Sequence, residues 1–188
     1  MAAEQTTGRD VDLAKQVILE LIRAAGGCWT GKTRLYKAFY FAHLYYADRE
    51  PGFLSCWPIV RMPNGPGIEH GDELLEQLAD SGRLTLETTR IGPYPSTIYH
   101  LAADAGEPAG LPEPAIQSIR EAVQFVSGRT AQELSELTHE HSRSWNLAKD
   151  GQELDVYIDL VSDEEYDERT LRLDVLSGEL EAAWDAAE

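Results

Sequence analysis

The run KTRLYKAFYFAHLYYA, residues 32–47, limits more than any other segment what this chain can fold into. At 3.6 residues per turn it is apolar on most sides: Leu35, Tyr36, Ala38, Phe39, Tyr40, Phe41, Ala42, Leu44 and Tyr45 are spread around the axis. Such a helix needs neighbours all round, so it is expected at the centre of the fold. Before it, Val11, Ala14, Val17, Ile18, Leu21, Ile22 and Ala25 recur at helical spacing after Asp10, a candidate N-cap, and Gly26 with Gly27 ends the run. After it, CWPIVRM (56–62) reads as a short extended segment and PNGPG (63–67) as a rigid turn. A third helix is expected from Glu69 to Ala79, with Leu74, Leu75 and Leu78 inward and Ser81 and Gly82 as its stop. RLTLETT and STIYHLA then read as two strands around the IGPYP turn. Three helices and a hairpin in this order spell a winged helix.

A second helical lobe follows the linker-like stretch EPAGLPEP (107–114). Pro112 suits the first turn of a helix running to about Val126, with Ile116, Ile119, Val123 and Val126 on one face and Gly128 as its stop. Thr130 with Glu133, and Ser162 with Glu165, match the capping-box pattern that opens a helix. The helix after Ser162 is acidic, with Tyr166, Leu173, Leu176, Leu180 and Trp184 as a stripe and Gly178 as a possible bend. The fold class expected is mainly α with a small β-hairpin: a winged-helix-like N-terminal helical core plus C-terminal helices, α+β in class.

GGCWTGKT, Gly26 to Thr33, fits the phosphate-loop pattern G-x-x-x-x-G-K-[ST], with Gly26, Gly31, Lys32 and Thr33 in the defining positions. A phosphate loop joins a buried strand to a helix, whereas QVILELIRAA ahead of these glycines reads as an amphipathic helix. The match is therefore judged false, and no cofactor is expected. Gly26 to Thr30 is expected to be a bend between two helices, with Thr30 as the second helix's N-cap. VYID (156–159) resembles a magnesium-binding partner strand, but four-residue matches are frequent by chance. His139 and His141 on one helix would point about 200° apart, a poor bite for one metal. No G-x-S-x-G or H-E-x-x-H motif occurs, so neither a metal site nor an enzyme is expected.

Charge narrows the partner. The net charge of −17 is uneven: residues 1–110 carry 14 acids and 10 bases, and residues 111–188 carry 19 acids and 6 bases. The C-terminal portion should repel nucleic acid and attract basic partners. The third helix holds Glu69, Asp72, Glu73, Glu76 and Asp80 without one Lys or Arg, the reverse of what duplex binding requires. Lys32, Arg34 and Lys37 form the one cationic cluster, on the helix expected to be buried. No apolar run reaches the ~18 residues of a membrane span. The polar start MAAEQTTGRD is unlike a signal peptide, and Cys28 and Cys56 form no C-x-x-C pair. A cytoplasmic chain with reduced thiols is the expectation.

Three stretches, LYKAFYFAHLYY (35–46), RMPNGPGI (61–68) and LSELTHEHSRSW (134–145), together resemble the successive signatures of the Panacea domain, also called the SocA-like antitoxin domain. The residues carrying the resemblance are Lys37, Phe39, Tyr40, Phe41 and Ala42, then Gly65 and Pro66, then Leu134, Ser135, Thr138, His139 and Trp145, expected to be structural. The resemblance implies a prokaryotic or phage protein that neutralises a cognate toxin by direct contact. It divides the chain into a polar N-terminal segment (1–11), a Panacea-like domain (12–150) and an acidic, helical C-terminal extension (151–188). A winged-helix-like DNA-binding regulator is the alternative, and a nucleotide-binding protein a more distant one.

Overall fold

The structure, a computed structural model, describes residues 2–103, 105 and 110–172. It is mainly helical with small antiparallel sheets. The apolar helix α2 (Lys32–Arg49) lies at the centre as its composition requires: Leu35 to His43 are consecutively buried. Helix α1 (Ala2–Ala24) lays Ala14, Val17, Ile18, Leu21 and Ile22 against the same core. It continues upstream through Asp10, which is therefore not an N-cap, because AAEQ adds good helix formers ahead of it.

The segment between α1 and α2 departs from the expected bend. Gly26 and Gly27 turn the chain at φ 89° and 84°, and Cys28–Thr30 then form strand β1 rather than a loop. The N-cap of α2 is Gly31, at φ 88°, and not Thr30, which is paired with Ile98 in the sheet. β-branched and aromatic residues in CWT suit a strand, and the partner strand lies about 70 residues downstream, beyond the reach of local reasoning.

The winged-helix arrangement is present. Helix α3 (Gly71–Asp80) follows α2, and strands β4 (Leu84–Ile91) and β5 (Tyr94–Leu101) form the wing, with sheet order β1-β5-β4. Gly92 and Pro93 are its two-residue loop, and the positive φ of Gly92, 58°, suits the twist of a tight hairpin. Helix α3 starts two residues later than expected, because His70 takes a left-handed conformation (φ 48°) at its N-cap.

Between α2 and α3 lies a second hairpin, β2 (Ile59–Met62) with β3 (Gly65–Ile68). The PNGPG stretch is thus a turn only at Pro63 and Asn64, and its last three residues are a fully buried strand. The chain returns to this hairpin much later: Leu154 N donates to Ile59 O at 2.7 Å and Arg61 N to Gln152 O at 2.9 Å. Leu154 and Val156 belong to the same core, so residues 151–160 pack with the body that precedes them.

Helix α4 (Glu113–Ser127) packs along α2, with Phe125 4.6 Å from Phe41 between ring centres and Arg49 bonded to Ser118 and Glu121. Its N-cap is Pro112, and Gly128 ends it. The capping box at Thr130 and Glu133 opens α5 (Ala131–His141), and α6 (Arg143–Leu147) follows at once, capped by Ser142. VYIDL forms a 3-10 turn (Val156–Leu160), not a strand. The Ser162–Glu165 box opens a last helix at residue 163, described to 172. Leu173, Leu176, Gly178, Leu180 and Trp184 lie outside the described residues. Among the described residues no helix is long and apolar enough to cross a membrane.

Candidate functional site

The three signature stretches meet around the β2–β3 hairpin. Lys37 reaches out of α2 and donates from Nζ to the Pro66 carbonyl at 3.1 Å, with its side chain 1% exposed. Gly65 sits against it at φ 96°, and a Cβ there would collide with both Lys37 Nζ and Thr138 Oγ1. Glycine is thus required twice, by conformation and by space. Thr138 on α5 donates back to Leu134 O and Ser135 O, both at 3.0 Å, leaving its oxygen beside the hairpin. Leu134 is fully buried, while Ser135 spends its hydroxyl on Ala131 O.

Trp145 holds the far side. Its Nε1 donates to Met62 O at 3.0 Å, His139 stacks on its ring at 4.1 Å, and Arg61 lies over it at 3.8 Å. Arg61 also donates to the Trp145 and Ala148 carbonyls, which ties β2 to α6. Burial, then the charges of Lys37 and Arg61, hold the His139 imidazolium below the ordinary histidine range. Burial likewise lowers the Lys37 ammonium to about 7, because no carboxylate accompanies it.

The remaining signature residues serve the core. Phe39 packs on His43 at 4.3 Å and Phe41 on Phe125, while Ala42 is fully buried. Tyr40 does something sequence reasoning missed: its hydroxyl donates to Asp159 Oδ2 at 2.6 Å. The same carboxylate accepts from Ser142 Oγ (3.1 Å), Ser144 Oγ (2.6 Å) and Ser144 N (2.7 Å). Burial and the neighbouring Asp159 charge raise the Tyr40 phenol well above its usual value. One carboxylate therefore fastens the 3-10 turn to α2 and α6, and the only sequence signal was an Asp inside an apolar run.

Two open surfaces flank this cluster. The larger is a groove of about 1410 Å³ between the wing and α5, floored by the starts of α2 and α3. Leu86, Ile91 and Tyr94 line it while remaining 42%, 54% and 72% exposed. Arg34 and His139 also line it, and among the described residues Arg34 Nε and His139 Nε2 are the buried side-chain nitrogens without a hydrogen-bond partner. The outward side of α3 forms a neighbouring wall, where Asp72, Glu73, Glu76, Gln77 and Asp80 are exposed and Leu74, Leu75 and Leu78 are buried. The smaller surface is a pocket of about 390 Å³ between α2, the β2–β3 turn and the start of α3.

The phosphate-loop letters do not assemble into a loop. Gly26 and Gly31 are separated by a strand bonded to β5, and Lys32 Nζ is paired with Asp72 at 2.8 Å. His139 and His141 do not converge either: His139 stacks on Trp145, while His141 is exposed beside Glu140. Comparison with family models, with curated proteins and with solved structures finds no match.

Proposed function

We propose that this chain is an antitoxin-like protein of the Panacea, or SocA-like, kind, which neutralises a cognate toxin by direct protein-protein binding. The observation that carries the reading is the outward surface of the winged helix. Its third helix, the element that enters DNA in winged-helix readers, presents carboxylates and one amide to solvent. Phosphates would be repelled there, since duplex affinity comes from their neutralisation by Lys and Arg. The wing beside it exposes two aliphatic side chains and a tyrosine along a groove. Apolar anchors next to acid fit a basic protein surface, with the anchors holding the complex and the charge speeding encounter. The joint packing of Lys37, Gly65, Pro66, Thr138, His139 and Trp145 supports the family resemblance, because residues about 100 positions apart form one cluster.

The DNA-regulator reading retains one supporting observation, the winged-helix topology itself. Co-expression with the product of the neighbouring gene separates the two. A small growth-inhibiting product that copurifies with this chain, and whose toxicity it relieves, is the expected result. Salt-sensitive binding to duplex DNA with no effect on any neighbouring product would overturn the reading.

A further inference from the structure

The 390 Å³ pocket adjoins the groove and shares Lys32, Thr33, Asn64 and Asp72 with it, but Tyr36, Lys37, Gly65 and His70 line the pocket alone, and their chemistry is unusual. Lys32, Tyr36, Lys37, Gly65, His70 and Asp72 all line it. Its volume is in the range of small-ligand sites.

Four features converge there. Lys37 is a 1%-exposed amine whose acceptor is a backbone carbonyl, and no carboxylate among the described residues pairs with it. His139 of α5 faces it from one side, and His70, Asp72 and Glu73 of the α3 end line the same pocket without bonding to it, so burial leaves much of the amine unprotonated near neutral pH. Next, His70 is the one non-glycine residue with positive φ among the described residues, 48°, and its Nδ1 lies 3.0 Å from Glu73 Oε1. Backbone strain of this kind concentrates at functional sites. Third, two glycines admit the functional ends: a Cβ on Gly65 would strike Lys37 Nζ, and one on Gly71 would strike the Tyr36 hydroxyl. Finally, Asp72 accepts from both Lys32 Nζ (2.8 Å) and Tyr36 Oη (3.0 Å), a hydrogen-bonded chain on the same wall. Burial raises the Asp72 carboxyl, but these two bonds and the Lys32 charge outweigh it and hold it below the usual range.

We propose that Lys37 Nζ is a nucleophile that forms an imine with a small aldehyde or ketone entering this pocket. The nitrogen lone pair attacks the carbonyl carbon, the C=O π pair moves to oxygen, and a proton passes from nitrogen to that oxygen. The Lys32 ammonium lends a second proton, the oxygen leaves as water, and the nitrogen lone pair closes the C=N bond. The iminium nitrogen then returns its proton to Lys32. No oxidant or reductant is consumed. The near-complete burial of Lys37 confines the reaction to compounds of a few heavy atoms.

The test uses the full chain with glycolaldehyde and, separately, pyruvate, followed by sodium borohydride. Borohydride delivers hydride to the imine carbon and water supplies the proton, giving a stable secondary amine located by peptide mapping. The chain has three other lysines, Lys15, Lys32 and Lys149, as internal controls. Labelling of Lys37 is expected at least about tenfold faster than theirs at pH 7.5, because a larger fraction of its amine is neutral. Its rate should level off near pH 8. Substitution Lys32→Ala should slow labelling of Lys37 without unfolding the chain, since that side chain is half exposed. Adducts confined to Lys15, Lys32 and Lys149, or adducts at Lys37 only after denaturation, would overturn the proposal.

Discussion

The two hairpins of this protein are built alike and used oppositely. The β2–β3 hairpin buries all of β3, pins its Pro66 carbonyl on Lys37 and has its Met62 carbonyl held by Trp145. The wing, β4 with β5, is longer, and at its tip Ile91 and Tyr94 stand more than half exposed. Their difference separates the residues that make the family resemblance from the residues suited to meeting a partner. Lys37, Gly65 and Thr138 press on one another inside the body, with Trp145 on the far side of the same hairpin, whereas Leu86, Ile91 and Tyr94 are substantially exposed and line the groove.

Substitutions at the inner hairpin should break this contrast hardest. Gly65→Ala forces a side chain into a left-handed residue and drives its Cβ against Lys37 and Thr138, so a loss of about 4 kcal/mol or more is expected in denaturant unfolding. A variant as stable as the parent would show that the cluster is looser than described.

The second expected effect depends on pH. The Lys37 ammonium is held at about 7 in the folded protein against about 10.5 in the unfolded chain, so the unfolded state binds more protons between those values. Stability should rise with pH across that window: the cost of the buried amine is fully present below pH 7 and gone above about 10.5. Measured against Lys37→Met, which lacks the titration, the parent should gain on the order of a few kcal/mol between pH 7 and 10. A flat difference would mean that the amine is solvated.

A smaller loss is expected at Trp145, which is only partly buried. Trp145→Ala removes its bond to Met62 O and the stacking of His139 and Arg61, costing about 2–3 kcal/mol. Full stability combined with lost neutralisation would move Trp145 from scaffold to contact surface.

How far the sequence carried the fold follows from where each signal resides. The central helix, the wing, the α5 capping box and the Gly128 stop depend on neighbours within a few residues, and all were legible. Strand β1 was not, because three residues gain a strand's identity only from a partner in β5. Strand β3 was hidden for a different reason: Gly-Pro-Gly signals a turn locally, and burial against Lys37 and Thr138 overrides it. The candidate cluster was visible as separate signatures, but not its geometry. Asp159 was invisible as an anchor, since its partners Tyr40, Ser142 and Ser144 come from two other elements. The exposed wing tip gave no signal beyond an apolar residue and a tyrosine flanking a turn.

The most direct test of the central claim is a triple substitution at the wing, Leu86→Ser with Ile91→Ser and Tyr94→Ser, measured for both unfolding and neutralisation of the neighbouring gene's product. Because these side chains are substantially exposed, each substitution should change stability by no more than about 0.5 kcal/mol. The expected result is a folded chain whose cooperative melting transition moves by no more than about 6 °C and which no longer captures or neutralises its partner. A triple variant that neutralised as well as the parent would contradict it, and would place the contact surface elsewhere on the molecule.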